Sequence, residues 1–542
     1  MKKILIFLFL ISSLIGFSQE DAWVYFKDKP DSVTYLNNPL TMLSQRALDR
    51  RLTQNIPLDF NDVPINQAYI DQISSATGIT VMAKSKWLNC VHVRGTQTDI
   101  NLLKSLSSVH RVDFANKSLN LVSKKIKSDF IKPVNKVLAT QVDFNYGTSA
   151  NQIQMLNGHL LHQQNYTGKG KIIAVLDAGF PGVETALPFK RLRDNNQILG
   201  GYNYVTKNSN FYSGVQHGAS VLSLMGGFTD GQLVGTAPDA SYYLYVTEDD
   251  NSENPVEESN WVEAAEEADR VGADIITTSL GYFAFDNVDY GHTYNDMTGN
   301  AAFASQGANI AFSKGIIVVA SAGNDGDSQI EKHIGVPAEA LNVIAVGAVK
   351  ADGIYATFSS IGPSYDSRVK PDVMAQGQYP YVFYNGTINN IGYGTSYSCP
   401  IMAGMIACLW QAYPNKTNQE IKQLVTQSAD NFNPTTLKDR NKYGYGIPNF
   451  SLALTNGLSV NLFLKSDFVV YPNPTSEAIS VSLPEGIYDG NTIIYSVLGQ
   501  KILEKTTTKQ DPFISLKFLN KGTYLYKIEF NGFSKSGKII KQ

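Results

Sequence analysis

The amino-acid sequence predicts an α/β protein: a central unit on a doubly wound parallel sheet, preceded by a small α+β unit and followed by a β-sandwich. Three observations support this prediction. The chain has 542 residues, enough for several domains. Apolar runs of strand length alternate with helical segments through residues 154–457. Short strands separated by turn residues fill residues 465–542, as in a small sandwich.

The central unit contains the strongest strand signals. Its apolar runs are "KIIAVLD", "SYYLYV", "ADIITTSL", "GIIVVASAG" and "NVIAVGAV". Such continuous Val, Ile and Ala runs are typical of parallel strands that helices cover on both faces. Between them, Asn254 as N-cap, Pro255 at the first helical position and Glu257 in a capping box predict a helix with an apolar stripe from Trp261 to Val271. In such sheets, ligands bind at the carboxyl ends of the strands.

Composition shifts mark the units at either end. Residues 21–116 mix β-rich runs such as "AWVYF" and "NCVHV" with helical stretches, which predicts a small α+β fold. A lysine-rich stretch from Lys117 to Lys136 follows, and its composition predicts an exposed segment open to proteolysis. We therefore divide the chain into residues 1–18, an N-terminal unit at 20–116, a linker or processing region at 117–153, a central unit at 154–457 and a C-terminal unit at 465–542.

The first residues have the order of a secretory signal peptide. Lys2 and Lys3 precede an apolar stretch from Ile4 to Phe17, which is short for a membrane span, and cleavage is expected after Ser18. The remaining sequence has no run of membrane length. The net charge of -3 offers no basic surface for nucleic acid. We expect a secreted or cell-surface protein with no nucleic-acid partner and no stable membrane span.

Cysteine pairing is not expected to stabilise the fold. The chain has three cysteines, and two of them, Cys399 and Cys408, fall on one predicted helix. Nine residues of helical rise place them about 13 Å apart, whereas a disulfide needs Cα atoms within about 7 Å. Stability is therefore expected to come from core size.

Four polar residues stand where strands end or helices begin. Asp177 ends the first apolar run, His217 starts an amphipathic helix, Asn324 lies between glycines after another run, and Ser396 opens a long apolar helix. Each has an ordinary explanation alone: turn residues for Asp177 and Asn324, and a helix cap for Ser396 or Thr395. Together they supply a nucleophile, a base, an orienting carboxylate and an oxyanion donor, the groups that acyl transfer requires.

The sequence around these residues resembles the subtilisin-like serine protease family, peptidase family S8. The similar blocks are "VLDAGF", "HGASVLSLMGG", "ASAGNDG" and "GTSYSCP", and "TTSLGY" resembles the strand that lines the substrate cleft. The resemblance implies a serine endopeptidase that hydrolyses peptide bonds in proteins or peptides through an acyl-enzyme, without a cofactor for the chemistry. It assigns these roles: Asp177, His217 and Ser396 as the triad, Asn324 as the oxyanion-hole donor, and Ser279, Leu280 and Gly281 as substrate-binding backbone.

Both ends of the chain resemble segments found with such proteases in Bacteroidetes-type bacteria. The N-terminal stretches "YFKDKPDSV", "LSQRALDRR" and "SKWLNCVHVRG" resemble a pro-region, which implies a zymogen whose own prodomain helps folding and inhibits the enzyme. The C-terminal stretches "VVYPNPTSEAISV", "IYSVLGQKIL" and "LNKGTYLYKI" resemble the sorting domain read by the type IX secretion machinery.

The sequence departs from the family pattern at three positions. Ala178 stands where many members carry Ser or Thr, Ala219 where Thr is usual, and Ile401 where a histidine is common. None of the three has a chemical role in the mechanism, so activity is still expected. The departures concern the rate and the fine structure of the pocket.

Three alternatives stay open at this stage. His159 and His162, one helical turn apart, suit a shared metal, although a third ligand is missing and solvated histidines are the ordinary explanation; no metal ligand is assigned. The acidic loop from Thr247 to Glu258 suits a structural calcium ion, although it lacks a recognised calcium-loop spacing. The rival function is a noncatalytic surface protein that binds peptides with the same fold.

Overall fold

The structure is a computed structural model of the chain, and it describes residues 19–120, 143–433, 438–458, 469–483, 489–497, 500–508, 511–530 and 533–542. The predicted signal peptide and most of the predicted linker lie outside these residues. In the part that is described, no helix combines the length and the apolar character needed to cross a bilayer.

The N-terminal unit is a small α+β fold, as predicted. Its antiparallel sheet has the order β2-β3-β1-β4. Along β1 (Gln19–Phe26), Ala22, Val24 and Phe26 face a core shared with the helices of this unit. Trp23 and Tyr25 on the other face of the strand contact the central unit. The elements are β1 (Gln19–Phe26), α1 (Ser32–Asn37), α2 (Gln45–Thr53), α3 (Gln67–Ser74), β2 (Thr80–Ser85), β3 (Cys90–Thr96), α4 (Gln97–Leu102) and β4 (Val109–Phe114).

The central unit begins with small helices and strands around the first half of its sheet. These elements are α5 (Ala150–Gln154), α6 (His159–His162), β5 (Ile172–Asp177), α7 (Lys190–Asp194), β6 (Ile198–Asn203), α8 (His217–Gly226), β7 (Phe228–Thr229), β8 (Leu233–Val234), β9 (Ser241–Val246) and α9 (Val256–Val271). Helix α5 thus begins inside the segment, residues 117–153, that the sequence suggested as a processing region.

The second half of the central unit completes the sheet and adds the longest helix. Its elements are β10 (Ile275–Thr278), α10 (Phe303–Ser313), β11 (Ile317–Ser321), β12 (Ile344–Val349), β13 (Val373–Gln376), β14 (Val382–Tyr384), β15 (Thr387–Asn389), α11 (Thr395–Ala412), α12 (Asn418–Gln427), α13 (Arg440–Tyr443) and α14 (Phe450–Leu458).

A seven-stranded sheet of order β13-β12-β11-β10-β5-β9-β6 forms the centre, and all its pairs are parallel. Alternate residues of β5 enter two different cores. Ile173 and Val175 pack with α8 and α11 on one face, whereas Ala174 and Leu176 pack with α9 and α10 on the other. Helices therefore cover both faces, which confirms the predicted doubly wound α/β fold.

Helix α9 begins slightly later than the sequence suggested. Pro255 occupies the N-cap position, not the first helical position. The expected capping bonds nevertheless form around it: Asn254 Oδ1 accepts from the Val256 N–H at 3.1 Å, and Glu257 Oε2 accepts from the Asn254 N–H at 3.2 Å. The residue types were interpreted correctly, and the boundary was wrong by one position.

Helix α11 runs through the core from the carboxyl edge of the sheet. Nearly all its residues are buried, and its N-cap is Gly394, with no side-chain capping bond. The alternative that Thr395 or Ser396 caps this helix is therefore wrong. Cys399 and Cys408 lie in this helix, and Cys90 lies in β3. All three are free, buried thiols.

The C-terminal unit consists of two antiparallel sheets of orders β16-β17-β20 and β19-β18-β21-β22. Ile479 and Ile514 of one sheet pack with Ile494, Ile528 and Ile539 of the other in one core, which confirms the predicted sandwich. Its strands are β16 (Val469–Tyr471), β17 (Ala478–Ser482), β18 (Asp489–Tyr495), β19 (Lys501–Thr508), β20 (Phe513–Ser515), β21 (Gly522–Phe530) and β22 (Phe533–Lys541).

The sheet of the N-terminal unit packs on α9 and α10. Trp23 stacks on Phe303 with ring centroids 5.0 Å apart, and its indole N–H donates to Ser259 Oγ at 2.9 Å. The buried Glu266 carboxylate of α9 accepts from Ser85 Oγ at 2.7 Å and from the Trp87 N–H at 2.9 Å. The N-terminal unit is thus joined to the central unit by both apolar and polar contacts.

Candidate active site

The candidate residues gather at the carboxyl edge of the parallel sheet. Asp177 is the last residue of β5, Ser279 follows β10 directly, and Asn324 follows β11. Helices α8 and α11 begin at the same edge, with His217 and Thr395 as their first residues. The sheet topology therefore brings together residues that are far apart in the sequence.

Asp177 and His217 form a short polar pair. Asp177 Oδ1 lies 2.6 Å from His217 Nδ1 and also accepts from the Ala178 N–H at 2.8 Å. Asp177 is fully buried, whereas the His217 side chain is 35% exposed. A carboxylate at Nδ1 favours the tautomer that carries its proton there, so Nε2 has the free lone pair of a base.

Two carboxylates govern the charge of His217. Burial alone would lower the pKa of His217, but the attraction and hydrogen bond of Asp177 raise it above its ordinary value, and Glu248 adds to the effect. Glu248 lies just beyond β9, where its Oε1 accepts from Tyr282 Oη at 2.7 Å and Thr247 Oγ1 at 2.8 Å. Burial raises the pKa of Glu248 to about 7. Sequence reasoning treated Glu248 only as part of an acidic loop.

The other oxygen of Asp177 is unusual. Asp177 Oδ2 is buried and has no hydrogen-bond partner among the described residues. The next residue is Ala178, at the position where many relatives were expected to carry a hydroxyl side chain. The departure noted in the sequence thus lies beside an unpaired carboxylate oxygen.

Ser396 is half-buried at the start of α11 and contacts Ser279 twice. Its hydroxyl donates to the Ser279 carbonyl oxygen at 3.3 Å, and its own carbonyl oxygen accepts from Ser279 Oγ at 2.9 Å. Among the described hydrogen bonds there is none between Ser396 and His217. Catalytic hydrogen bonds are often long or misaligned in unliganded sites and tighten when substrate binds.

Asn324 is held in one orientation by the start of α11. Its Oδ1 accepts from the Thr395 N–H at 2.8 Å and lies 3.0 Å from Thr395 Oγ1. A backbone N–H can only donate, so the amide oxygen must face Thr395 and Nδ2 must point elsewhere. A Cβ at Gly394 would lie 3.6 Å from Asn324 Nδ2 and 3.7 Å from the Ser396 nitrogen. Gly394 therefore keeps open the space beside two N–H donors.

Sequence reasoning missed the positioning role of Thr395. Its Oγ1 accepts from the Gly323 N–H at 3.1 Å and lies 3.1 Å from the Gly323 carbonyl oxygen. This buried hydroxyl joins the loop after β11 to the start of α11. The "GTS" triplet was the available signal, but it was considered only as a nucleophile or a cap.

The proposed backbone strand for substrate lies beside these groups. Ser279 is nearly buried, Leu280 is partly exposed and Gly281 is exposed. A Cβ at Gly281 would meet one atom within 4 Å, the Val336 carbonyl oxygen at 3.7 Å. The segment therefore has an open side next to Ser396.

Two histidines outside the site, His162 and His292, have structural partners. His162 is fully buried, with Nδ1 2.7 Å from Tyr146 Oη and Nε2 2.9 Å from the Thr236 carbonyl oxygen, and burial lowers its pKa to about 4. The expectation of a solvated His162 is therefore wrong. His292, for which the sequence offered no partner, lies 2.7 Å from Glu258.

Within the described residues, no group of three or more His, Cys, Asp or Glu side chains is placed so that it could hold a metal ion. In the acidic loop, Glu257 Oε1 accepts instead from the Asp249 N–H at 3.0 Å. That carboxylate orders the loop and the start of α9.

The comparison with known families begins with the central unit. The model described as "Subtilase family" matches residues 168–446, about half of the chain. The chain belongs to the subtilase family. Residues 21–131 of this subtilase match the model "Peptidase S8 propeptide domain, Bacteroidota", and residues 469–542 match "Secretion system C-terminal sorting domain".

Individual relatives match more than half of the subtilase. Subtilisin DY of Bacillus licheniformis is 30% identical over 303 residues, which are 56% of this chain and 97% of that protein. Subtilisin E of Bacillus subtilis (strain 168) is 30% identical over 304 residues, 56% of this chain and 70% of that protein. The protein is therefore a serine-type endopeptidase with a propeptide domain, and its sorting domain directs it to the outside of the cell or the cell surface.

Proposed function

We propose that this subtilase hydrolyses peptide bonds in proteins or peptides through an acyl-enzyme on Ser396, with His217 as general base and Asp177 as its orienting carboxylate. The observation that supports this most strongly is the 2.6 Å contact between Asp177 and His217 at the edge where Ser396 begins its helix. The chemistry needs no cofactor, because the side chains supply every group that acyl transfer requires.

In the first step, the Ser396 hydroxyl leaves its bond to the Ser279 carbonyl oxygen and attacks the substrate carbonyl carbon. His217 Nε2 takes the hydroxyl proton, and the imidazolium that forms is stabilised by Asp177. When the C–N bond breaks, His217 gives this proton to the leaving amine. An ester of Ser396 remains.

In the second step, His217 takes a proton from water, and the hydroxide attacks the ester carbonyl. Collapse of this intermediate returns the proton to Ser396 and releases the carboxylate product. In both steps the negative oxygen is bound by Asn324 Nδ2 and the Ser396 N–H, the two donors beside Gly394. Donors that are already in place need no reorganisation during the reaction.

The substrate is proposed to bind as an extended strand along Ser279, Leu280 and Gly281. Backbone hydrogen bonds to such an edge recognise the extended peptide backbone and do not select a particular side chain. The open side of Gly281 supports this arrangement. Maturation is proposed to separate residues 20–116 from the catalytic unit by cleavage within residues 117–153, and the freed propeptide domain then acts as an inhibitor.

A fluorophosphonate probe tests the nucleophile. The processed wild type is expected to be labelled, and Ser396→Ala is expected to abolish labelling. Ser398→Ala is the matched control, because Ser398 lies in the same helix but is fully buried, with its hydroxyl on the Thr395 carbonyl oxygen at 2.9 Å. A folded, processed wild type that stays unlabelled would instead support the rival function, a noncatalytic peptide-binding protein.

A further inference from the structure

One helix of the propeptide domain lies far from the candidate active site. Helix α2 and its C-cap Gln54, here called the arm (residues 45–54), pack against Gly272, Ala273, Lys314 and Gly315. These four residues directly precede β10 and β11, so the arm binds the amino edge of the sheet. A six-residue strand such as β5 spans about 20 Å, which separates the arm from the carboxyl edge where Asp177 lies.

The arm supplies hydrogen bonds to the ends of two helices. Helices α9 and α10 both end at this edge, where the last carbonyl groups of a helix lack partners within it. Arg46 Nε donates to the Gly272 carbonyl oxygen at 3.0 Å, and Gln54 Nε2 donates to that of Gly315 at 2.8 Å. Arg50 donates to the carbonyl oxygens of both Ala273 and Lys314. One propeptide helix thus caps two helices of the catalytic unit.

Both sides of this contact contribute charged side chains that form ion pairs. Arg50 and Arg51 of the arm pair with Asp269 in the last turn of α9, the second at 2.7 Å. In return, Lys314 of the catalytic unit pairs with Asp62 of the propeptide domain at 3.2 Å. The side chains of Arg50, Arg51, Asp62, Asp269 and Lys314 are all at most 5% exposed.

Asp269 depends on these arginines. A negative charge at the carboxyl end of a helix is opposed by the helix dipole. Burial would also raise the pKa of Asp269, but Arg51 and Arg50 hold it below the ordinary value. The catalytic unit therefore carries a buried carboxylate whose charge is stabilised only while the arm is bound.

We propose that the arm is a second docking element of the propeptide domain, independent of the substrate cleft, and that it controls how long the cleaved propeptide stays bound. The sheet of the propeptide domain contacts the flanks of α9 and α10, whereas the arm binds their carboxyl ends. Loss of the arm's contacts leaves the flank contact in place but removes the buried charge pairs. The propeptide then dissociates faster, with no change at the catalytic groups.

The experiment uses the full-length Ser396→Ala chain, nicked by limited trypsin treatment in the lysine-rich segment after Asn120. Dissociation of the propeptide fragment is followed by gel filtration and by the decay of the complex on a sensor surface. Because the charge pairs are buried, salt screens them only weakly, and the wild-type complex is expected to keep most of its lifetime at about 1 M salt.

Two substitutions remove one partner each. Arg50→Met is expected to weaken the complex by about 30-fold or more, because it breaks a buried charge pair, and Asp269→Asn on the other side by a similar factor. The double variant is expected to be weaker than either single variant but by less than the product of the two effects, because the variants share the Arg50–Asp269 pair, whereas Arg50 also binds two carbonyl oxygens and Asp269 also binds Arg51. Lys104→Met is the control, since its contacts, Asn101 and Phe114, lie within the propeptide domain and its own core.

Three results would overturn the proposal. Arg50→Met and Lys104→Met complexes with equal lifetimes would show that the arm does not hold the propeptide. Additive effects of Arg50→Met and Asp269→Asn would show that the two residues act separately. A wild-type complex whose lifetime collapses at about 1 M salt would show that exposed charges, not the buried pairs, hold the propeptide, and this measurement needs no variant that could fail to fold.

Discussion

The orientation of Asn324 allows its donor role to be separated from its structural role. Nδ2 is proposed to bind the oxyanion, while Oδ1 accepts from the Thr395 N–H at 2.8 Å. Asn324→Ala removes both functions. Asn324→Asp keeps an acceptor for the Thr395 N–H but replaces the donor with a second, negatively charged oxygen.

The expected magnitude follows from what each variant retains. With the Ser396 N–H still in place, loss of the side-chain donor is expected to lower kcat by about 10²- to 10³-fold, or about 2.7–4 kcal/mol; this range is the one known for the corresponding asparagine of subtilisin. KM is expected to change little, because the donor acts mainly on the charge that develops in the transition state. Asn324→Asp is expected to be at least as slow as Asn324→Ala, since a carboxylate repels the oxyanion.

The assay is steady-state hydrolysis of a peptide substrate by the processed variants, with kcat and KM measured separately. An aspartate variant that recovers most of the activity lost in Asn324→Ala would refute the reasoning. In that case the residue would act by holding the loop to Thr395, not by donating to the substrate.

Two further predictions concern protons. In the proposed mechanism His217 must be neutral to act as base, and its pKa is raised. Activity should therefore increase with pH through a midpoint above the ordinary value of about 6.5, and Glu248→Gln should lower that midpoint. An unchanged pH profile of kcat/KM in Glu248→Gln would contradict this. His162 is buried with a pKa of about 4, so the stability it contributes is complete above about pH 6.5 and is lost as the pH falls towards 4. The free energy of unfolding is expected to fall by about 3 kcal/mol over this range, as measured by urea unfolding of Ser396→Ala. This decrease is expected to be absent from a His162→Gln variant in the same background.

The sheet, and the position of the candidate residues at its edge, could be predicted because their signals are local. Continuous apolar runs identify buried parallel strands, and polar residues directly after them, such as Asp177, must lie at one edge. The helix start at Val256 was off by one residue because the capping bonds of Asn254 and Glu257 form whichever residue begins the helix.

Contacts between distant segments left no local pattern. Arg50 and Asp269 are 219 residues apart, and nothing in the periodicity of either helix pairs them. Helix α6 has four residues, too few for its sequence to show that His162 faces the core. Glu248 and Thr395 act through neighbours on other strands and loops, which only the folded chain brings close.

The unpaired Asp177 Oδ2 has a consequence for the energy of the free enzyme. A buried carboxylate with one unsatisfied oxygen is poorly solvated, and Ala178 provides no hydroxyl to relieve it. In the proposed mechanism, His217 acquires a proton, and its positive charge stabilises the buried carboxylate more strongly than the neutral imidazole of the resting protein does. Part of the free energy of this ion pair is then released only in the transition state.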